Sequence, residues 1–115
     1  MNHLWALLWP KVSDHWAGMG LKWENRLGLA AGFDKDARYL EVWKALGFGF
    51  VEVGTLTPRP QPGNPQPRLF RLVRHKALLN RLGFNNGGVE AAVPRLRQRP
   101  KGLVVGANIG KNKDT

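Results

Sequence analysis

Apolar positions follow two rhythms along the chain. In "GLKWENRLGLAAG" they alternate on either side of a polar turn at Glu24–Asn25. That pattern predicts a short strand and then a second one through Leu27, Leu29 and Ala31. In "ARYLEVWKALG" the spacing changes to i, i+3, i+4, i+7 at Tyr39, Val42, Trp43 and Leu46. This is an amphipathic helix, with Asp36 placed as an N-cap and Gly47 as the left-handed stop. "FGFVEVGTL" is a β-rich apolar run. "LFRLV" and "ALLN", separated by "RHK", predict a β-hairpin. "GGVEAAVPRLRQR" returns to the helical stripe at Val89, Ala92, Val93 and Leu96, and it accommodates Pro94 only if the helix starts late. "GLVVGANIG" predicts a third, buried strand. The order β-α-β-hairpin-α-β with near-continuous apolar strands implies an α/β fold on a parallel sheet.

Two segments break these rhythms. "TPRPQPGNPQPRLF" holds five prolines in fourteen residues, so it is neither helix nor central strand. It runs straight into the hairpin, which implies an ordered loop. Residues 1–18 crowd Leu4, Trp5, Leu7, Leu8 and Trp9 ahead of Pro10. They are expected to form a short helical extension, suited either to packing on their own domain or to a membrane–water interface. The remainder, residues 19–115, holds the β/α units. Two helices are few for covering both faces of a parallel sheet. The pattern also breaks off at "GKNKDT", just beyond a strand, so the chain reads as part of a longer α/β protein.

Composition narrows the classes. The 115 residues are 43% hydrophobic, enough for one packed domain. The absence of cysteine excludes a disulfide scaffold, a thiolate metal site and a cysteine nucleophile in this chain. No apolar run is long enough to span a bilayer, and the N-terminus lacks the shape of a secretory signal, so an intracellular protein is expected. The net charge is +10, from eighteen basic and eight acidic residues. That excess suits an anionic ligand, lipid surface or nucleic acid. Its basic residues are scattered, and no nucleic-acid motif accompanies them. No Ser-His-Asp set or metal-ligand cluster can be assembled, since His3, His15 and His75 lie far from the predicted strand ends.

In parallel α/β folds ligands bind at the carboxyl ends of the strands. There the chain carries Ala30, Ala31, Gly32, Phe33, Asp34 and Lys35, then Gly54, Thr55 and Thr57, then Asn108, Gly110, Lys111 and Asn112. Small residues let a flat ligand lie against the backbone. Thr and Asn offer neutral donors and acceptors, and Lys35 a positive charge. "NRLGFNN" by itself reads as a loop between hairpin and helix, with Asn85 or Asn86 as a cap.

Taken together, "GLAAGFDKD", "GFGFVEVGTLTPRPQPGNPQPRLFRL", "NRLGFNN" and "NIGKNKDT" resemble the N-terminal third of the quinone-dependent (class 2) dihydroorotate dehydrogenases. The resemblance runs from about Met19 to Thr115. It implies the first units of a flavin-binding (β/α)8 TIM barrel, behind a helical extension. It implies oxidation of dihydroorotate to orotate in pyrimidine synthesis, with FMN as cofactor and a quinone as acceptor. Ala31, Gly32, Phe33, Asp34, Lys35, Thr55 and Asn108 would hold the flavin. Lys35, Asn80, Arg81, Leu82, Gly83 and Phe84 would bind the substrate, with Asp34 and Asp36 as orienting or capping groups. The family's serine base would lie downstream of Thr115, leaving this chain inactive alone. Membrane contact would run through residues 1–18, placing the protein peripherally on the cytoplasmic side of a bacterial inner membrane, or in the cytoplasm if they bind no lipid. No nucleic acid is expected. The family carries Asn-Pro where this chain has Asn25-Arg26. Two other readings are a non-catalytic flavin- or nucleotide-binding module and, on charge alone, a basic nucleic-acid-binding domain.

Overall fold

The computed structural model describes residues 15–115. The helical extension expected for residues 1–18 lies largely outside that range, and its last three residues are a strand. β1 (Trp16–Gly18) pairs antiparallel with β2 (Leu21–Trp23). Met19 and Gly20 both take positive φ in the two-residue turn, the geometry that matches the right-handed twist of a hairpin. Trp16 and Trp23 stack across the pair at 5.1 Å, and Trp23 meets Phe50 edge-on at 5.3 Å.

β3 (Gly28–Leu29), β4 (Phe50–Leu56) and β7 (Val104–Ile109) form a parallel sheet in the order β3-β4-β7. The strand expected through Leu27, Leu29 and Ala31 therefore shrinks to two residues, although the Gly32 N–H still reaches the Gly54 carbonyl at 2.8 Å. Asn25 holds the entry to β3. Its Oδ1 accepts from the N–H groups of Leu27 and Gly49, and its Nδ2 donates to the Gly47 carbonyl at 2.8 Å. At 4% exposure this side chain closes the turn ahead of β3. A Cβ on Gly49 would sit 2.3 Å from the Asn25 carbonyl, so only glycine passes there.

Alternation divides the sheet into two faces. Val51 and Val53, both without solvent exposure, face the helices and form the core with Ala37, Leu40, Leu56, Ala92 and Leu103. The other face carries Gly28, Phe50, Glu52, Val104, Gly106 and Asn108, and the Phe50 ring lies over Gly28.

The helices are α1 (Leu40–Ala45) and α2 (Val89–Arg97). The α1 stripe is one residue out of phase with expectation. Leu40 is buried and Trp43 packs on the core, whereas Tyr39 is 55% and Val42 40% exposed. The start of the helix is set by tertiary contacts of Asp34, described below, and those fix its phase. In α2 the expected stripe holds: Ala92 is buried, and Val89, Val93 and Leu96 are half-buried. Pro94 does not fall in the first turn. It sits inside the helix on an exposed position, and the Glu90 carbonyl, which loses its intrahelical donor, belongs to an exposed residue that water can reach.

β5 (Leu69–Leu72) and β6 (Ala77–Asn80) make the expected hairpin, joined by a 3-10 turn at Val73–His75 and a left-handed Lys76. It forms a sheet of its own. β7 departs from its expected burial. Val104 and Val105 are half-buried, but residues 106–109 are exposed, because β7 is an edge strand in this chain.

Candidate functional site

The carboxyl ends of β3, β4 and β7 converge on one edge of the sheet. Between Val53 and Leu56 the β4–β7 register slips by one residue. Gly54 makes this bulge possible: its φ is +104°, and a Cβ would lie 2.4 Å from the Asn108 carbonyl oxygen. The bulge turns Thr55 toward β7, where its hydroxyl donates to Asn108 Oδ1 at 2.6 Å. Asn108 Nδ2 in turn donates to Glu52 Oε1 at 3.3 Å. Thr55 and Asn108, separate sequence candidates, are thus one unit. Glu52 was not among the candidates, yet a carboxylate alternating with Val51 and Val53 was the available signal.

Beyond β3, Ala30 and Gly32 are exposed, Ala31 is half-buried, and nothing lies within 4 Å of a Cβ built on Gly32. Phe33 is 73% exposed, with its ring edge-on to Trp43 at 5.5 Å. Asp34 turns the other way and is 3% exposed. Its Oδ1 accepts from the Arg38 N–H at 2.8 Å. Its Oδ2 accepts from the Tyr39 N–H and from Trp43 Nε1, both at 2.9 Å. Asp34 therefore opens α1, the part expected of Asp36. Asp36 instead spans to another segment: its Oδ1 accepts from the Gly87 N–H at 2.7 Å, and its carbonyl from Arg95.

Lys35, between the two carboxylates, has its pKa held below the usual lysine range. Burial is the main cause, the Arg68 guanidinium adds to it, and Asp36 opposes it. Arg68 also ties Lys35's surroundings to the other group of candidates. Its Nη1 donates to the carbonyls of Pro62 and Asn64, and its own carbonyl accepts from the Arg81 N–H at 2.8 Å. Arg68 was missed in the sequence, where nothing separates it from its basic neighbours.

Residues 80–84 lie along the proline-rich loop. Asn80 ends β6, opposite Leu69. The Arg81 guanidinium donates to the Pro67 carbonyl and rests 6.0 Å from the Phe70 ring centre. The Leu82 carbonyl accepts from the Asn64 N–H. Gly83 and Phe84 both take positive φ, and their carbonyls accept from Gln61 Nε2 at 3.2 Å. A Cβ on Gly83 would strike Asn64 at 2.8 Å.

Two buried asparagines stitch these loops to the strand ends. Asn86 does not cap α2, whose N-cap is Gly88 without a side-chain bond. Its Oδ1 accepts from the N–H groups of Thr57 and Gly88, and its Nδ2 donates to the Thr57 hydroxyl and the Phe84 carbonyl. Asn112, 5% exposed, imitates a strand: Oδ1 accepts from the Arg59 N–H, and Nδ2 donates to the Arg59 carbonyl and to Gln61 Oε1. Asn112→Ala is therefore expected to lower stability by about 1 kcal/mol, because the Arg59 N–H loses its acceptor while the Arg59 carbonyl keeps the Thr57 hydroxyl. A lower urea midpoint at unchanged slope checks this, and an unmoved midpoint contradicts it.

The model of the dihydroorotate dehydrogenase family matches residues 16–115. A curated relative from Thermus thermophilus, named dihydroorotate dehydrogenase (quinone), is 66% identical over 99 residues, covering 84% of this chain and 29% of its own length. One from Delftia acidovorans with the same name is 52% identical over 120 residues, covering 100% of this chain and 34% of its own. Among solved structures, ligand-free DHODH from Eimeria tenella superposes with a TM-score of 0.82 at 43% identity, over 97% of this chain and 35% of that one. The three-stranded parallel sheet with its helices is thus part of a (β/α)8 barrel. The chain spans about a third of the length of these relatives.

Proposed function

The chain belongs to the dihydroorotate dehydrogenase family, and we propose that residues 19–115 supply the first β/α units of a quinone-dependent enzyme that oxidises dihydroorotate to orotate. One observation carries this reading: the Thr55 hydroxyl bonds Asn108 at the carboxyl ends of β4 and β7, and the proline-rich loop that leaves β4 is tied through Arg68 to Arg81.

FMN fits the residues present. Ala30, Ala31 and Gly32 leave the end of β3 open, and Gly32 has no neighbour where a side chain would be. Thr55 and Asn108 offer polar atoms beside that opening. Bound there, FMN would supply the chemistry of a hydride acceptor for the substrate and an electron donor for the quinone. The chain's own part is to bind and orient. Lys35 brings a positive charge to an edge where a reduced ring or a substrate carboxylate carries a negative one. Asn80 and the backbone of residues 81–84 offer donors and acceptors to the substrate. Asp34 enters through its backbone, since its carboxylate is taken up by α1. The base lies outside this chain. Its place is the cytoplasmic face of a bacterial inner membrane, where a lipid-soluble quinone is found. The described residues contain no helix long and apolar enough to cross it. The contact proposed for Leu4, Trp5, Leu8 and Trp9 lies outside the described residues.

The test is flavin reduction in the protein that carries this chain. With FMN bound and air excluded, dihydroorotate is expected to bleach the visible flavin absorbance, and a soluble quinone to restore it. A flavin that stays oxidised in the presence of dihydroorotate overturns the reading.

A further inference from the structure

Gln61 stands between Pro60 and Pro62 in the proline-rich loop. Proline lacks a backbone N–H, and a residue ahead of one is confined to extended backbone. The Gln61 N–H donates to the Asn86 carbonyl at 3.1 Å, and the Asn86 N–H returns the bond to the Gln61 carbonyl at 3.1 Å. The side chain therefore projects from a fixed base, and its amide is engaged at both ends. Oε1 accepts from Asn112 Nδ2 and from the Lys113 N–H, both at 3.0 Å. Nε2 donates to the carbonyls of Gly83 and Phe84, both at 3.2 Å. A backbone N–H can only donate and a carbonyl can only accept, so these partners fix which way round the amide lies.

The bonds to Gly83 and Phe84 complete a pattern. The Arg81 carbonyl accepts from Asn64 Nδ2 at 2.8 Å, and the Leu82 carbonyl from the Asn64 N–H at 3.0 Å. The carbonyls of residues 81–84 thus all face the proline-rich loop. Across a trans peptide the N–H points opposite to the carbonyl. The N–H groups of residues 82–85 therefore point away from that loop, and they donate to no described residue. Gly83 and Phe84 reach this arrangement with φ of +75° and +53°, the second being a conformation that a residue with a Cβ rarely adopts. The Phe84 carbonyl has a second donor in Asn86 Nδ2 at 2.7 Å. The Gly83 carbonyl has none among the described residues, so without Gln61 the Gly83–Phe84 peptide is free to turn over. We propose that Gln61 is a positioning residue for the substrate, one that holds the Gly83 and Phe84 carbonyls so that the N–H groups of Phe84 and Asn85 stay turned toward the ligand's oxygens. Its amide is occupied at both ends, so it acts through the loop and not by contact. The inference rests on the dehydrogenase reading of residues 80–84.

The test uses the FMN-bound protein that carries this chain. Orotate binding is measured by titration calorimetry, and flavin reduction by dihydroorotate in a rapid-mixing spectrophotometer. Gln61→Met keeps the length of the side chain and removes its donors without adding a charge. Its orotate Kd is expected to rise about tenfold, the size of one ordinary hydrogen bond. FMN content should not change, and the bleaching rate at saturating dihydroorotate should stay at the parent's value. Gln61→Glu keeps an acceptor for Asn112 and Lys113 and loses both donors. Its Kd should rise at least as far, and the rise should persist at high salt, which sets aside repulsion by the added carboxylate. This second variant decides the matter if the first does not fold. A lower urea midpoint with an unchanged orotate Kd marks a merely structural role and overturns the proposal. So does a Gln61→Glu effect that salt abolishes, or a loss of saturated rate without a loss of affinity. A parent that dihydroorotate does not bleach overturns the dehydrogenase reading and this inference together. A parent that bleaches, with variants that bind orotate as it does, overturns this inference alone.

Discussion

Replacing Lys35 by methionine is expected to slow flavin reduction by dihydroorotate at least about a hundredfold, the usual loss when a preorganised charge is removed from a reacting centre. The substitution keeps the length of the side chain and removes its charge. Its effect on stability should run the other way. Burial and Arg68 disfavour the ammonium in the folded protein, and Asp36 only partly offsets them. The unfolded chain therefore binds the Lys35 proton more tightly than the folded one does. By linkage, stability rises with pH between the lowered folded value and the ordinary lysine value, and at neutral pH the protonated side chain costs stability. Lys35→Met removes that cost, so the melting temperature should stay level or rise. Rapid-mixing absorbance measures the first effect and thermal unfolding the second. A variant that reduces flavin at the parent's rate removes Lys35 from the site. In the parent, a step that needs the ammonium should fade as pH rises through a pKa below the usual lysine range.

Asp34→Ala should give the opposite pair of results, in the same protein and one residue away. The carboxylate is 3% exposed and accepts three hydrogen bonds, from the N–H groups of Arg38 and Tyr39 and from the Trp43 indole. Alanine leaves these donors without a partner at the entry to α1. Hydrogen bonds to a charged acceptor are worth more than neutral ones, and buried donors left unpaired add their own cost, so a loss of about 4 kcal/mol is expected. Asp34→Asn should fall between, because one amide oxygen can still accept while the amide nitrogen faces a donor. Urea midpoints order the three proteins, and Trp43 emission reports the loss of its indole bond. If Asp34→Ala unfolds at the parent's midpoint, the carboxylate does not hold α1. The two variants separate the halves of "FDKD": a charge kept for chemistry at Lys35, and one kept for the fold at Asp34.

Much of this arrangement could be read from residue order. The change from alternation to helical spacing located β4, both helices and the hairpin. Small and polar residues at the ends of predicted strands pointed to Gly32, Thr55 and Asn108 before any contact was known. The motif resemblance named the family, which the comparisons bear out. What eluded the sequence was the partner each side chain would find. The α1 stripe was set from Tyr39 because spacing alone cannot choose between adjacent phases in a six-residue helix, and Asp34 made that choice through bonds to Arg38, Tyr39 and Trp43. Asp36 looked like a cap by position, but its carboxylate meets Gly87, 51 residues away. Asn25, Arg68 and Asn112 had no local signature, since their partners lie in other loops.

The sequence by itself determined the α/β class, the order of the elements and the family. It could do so because periodicity, turn residues and short motifs are local properties, legible a few residues at a time. Only the tertiary structure decided which carboxylate serves the helix, which arginine stands near Lys35, and which asparagines lock the proline-rich loop to the strand ends. It also decided that β7 is an exposed edge. Those outcomes depend on burial and on side-chain hydrogen bonds, most of them between segments tens of residues apart, and the apolar spacing along one segment carries no record of them.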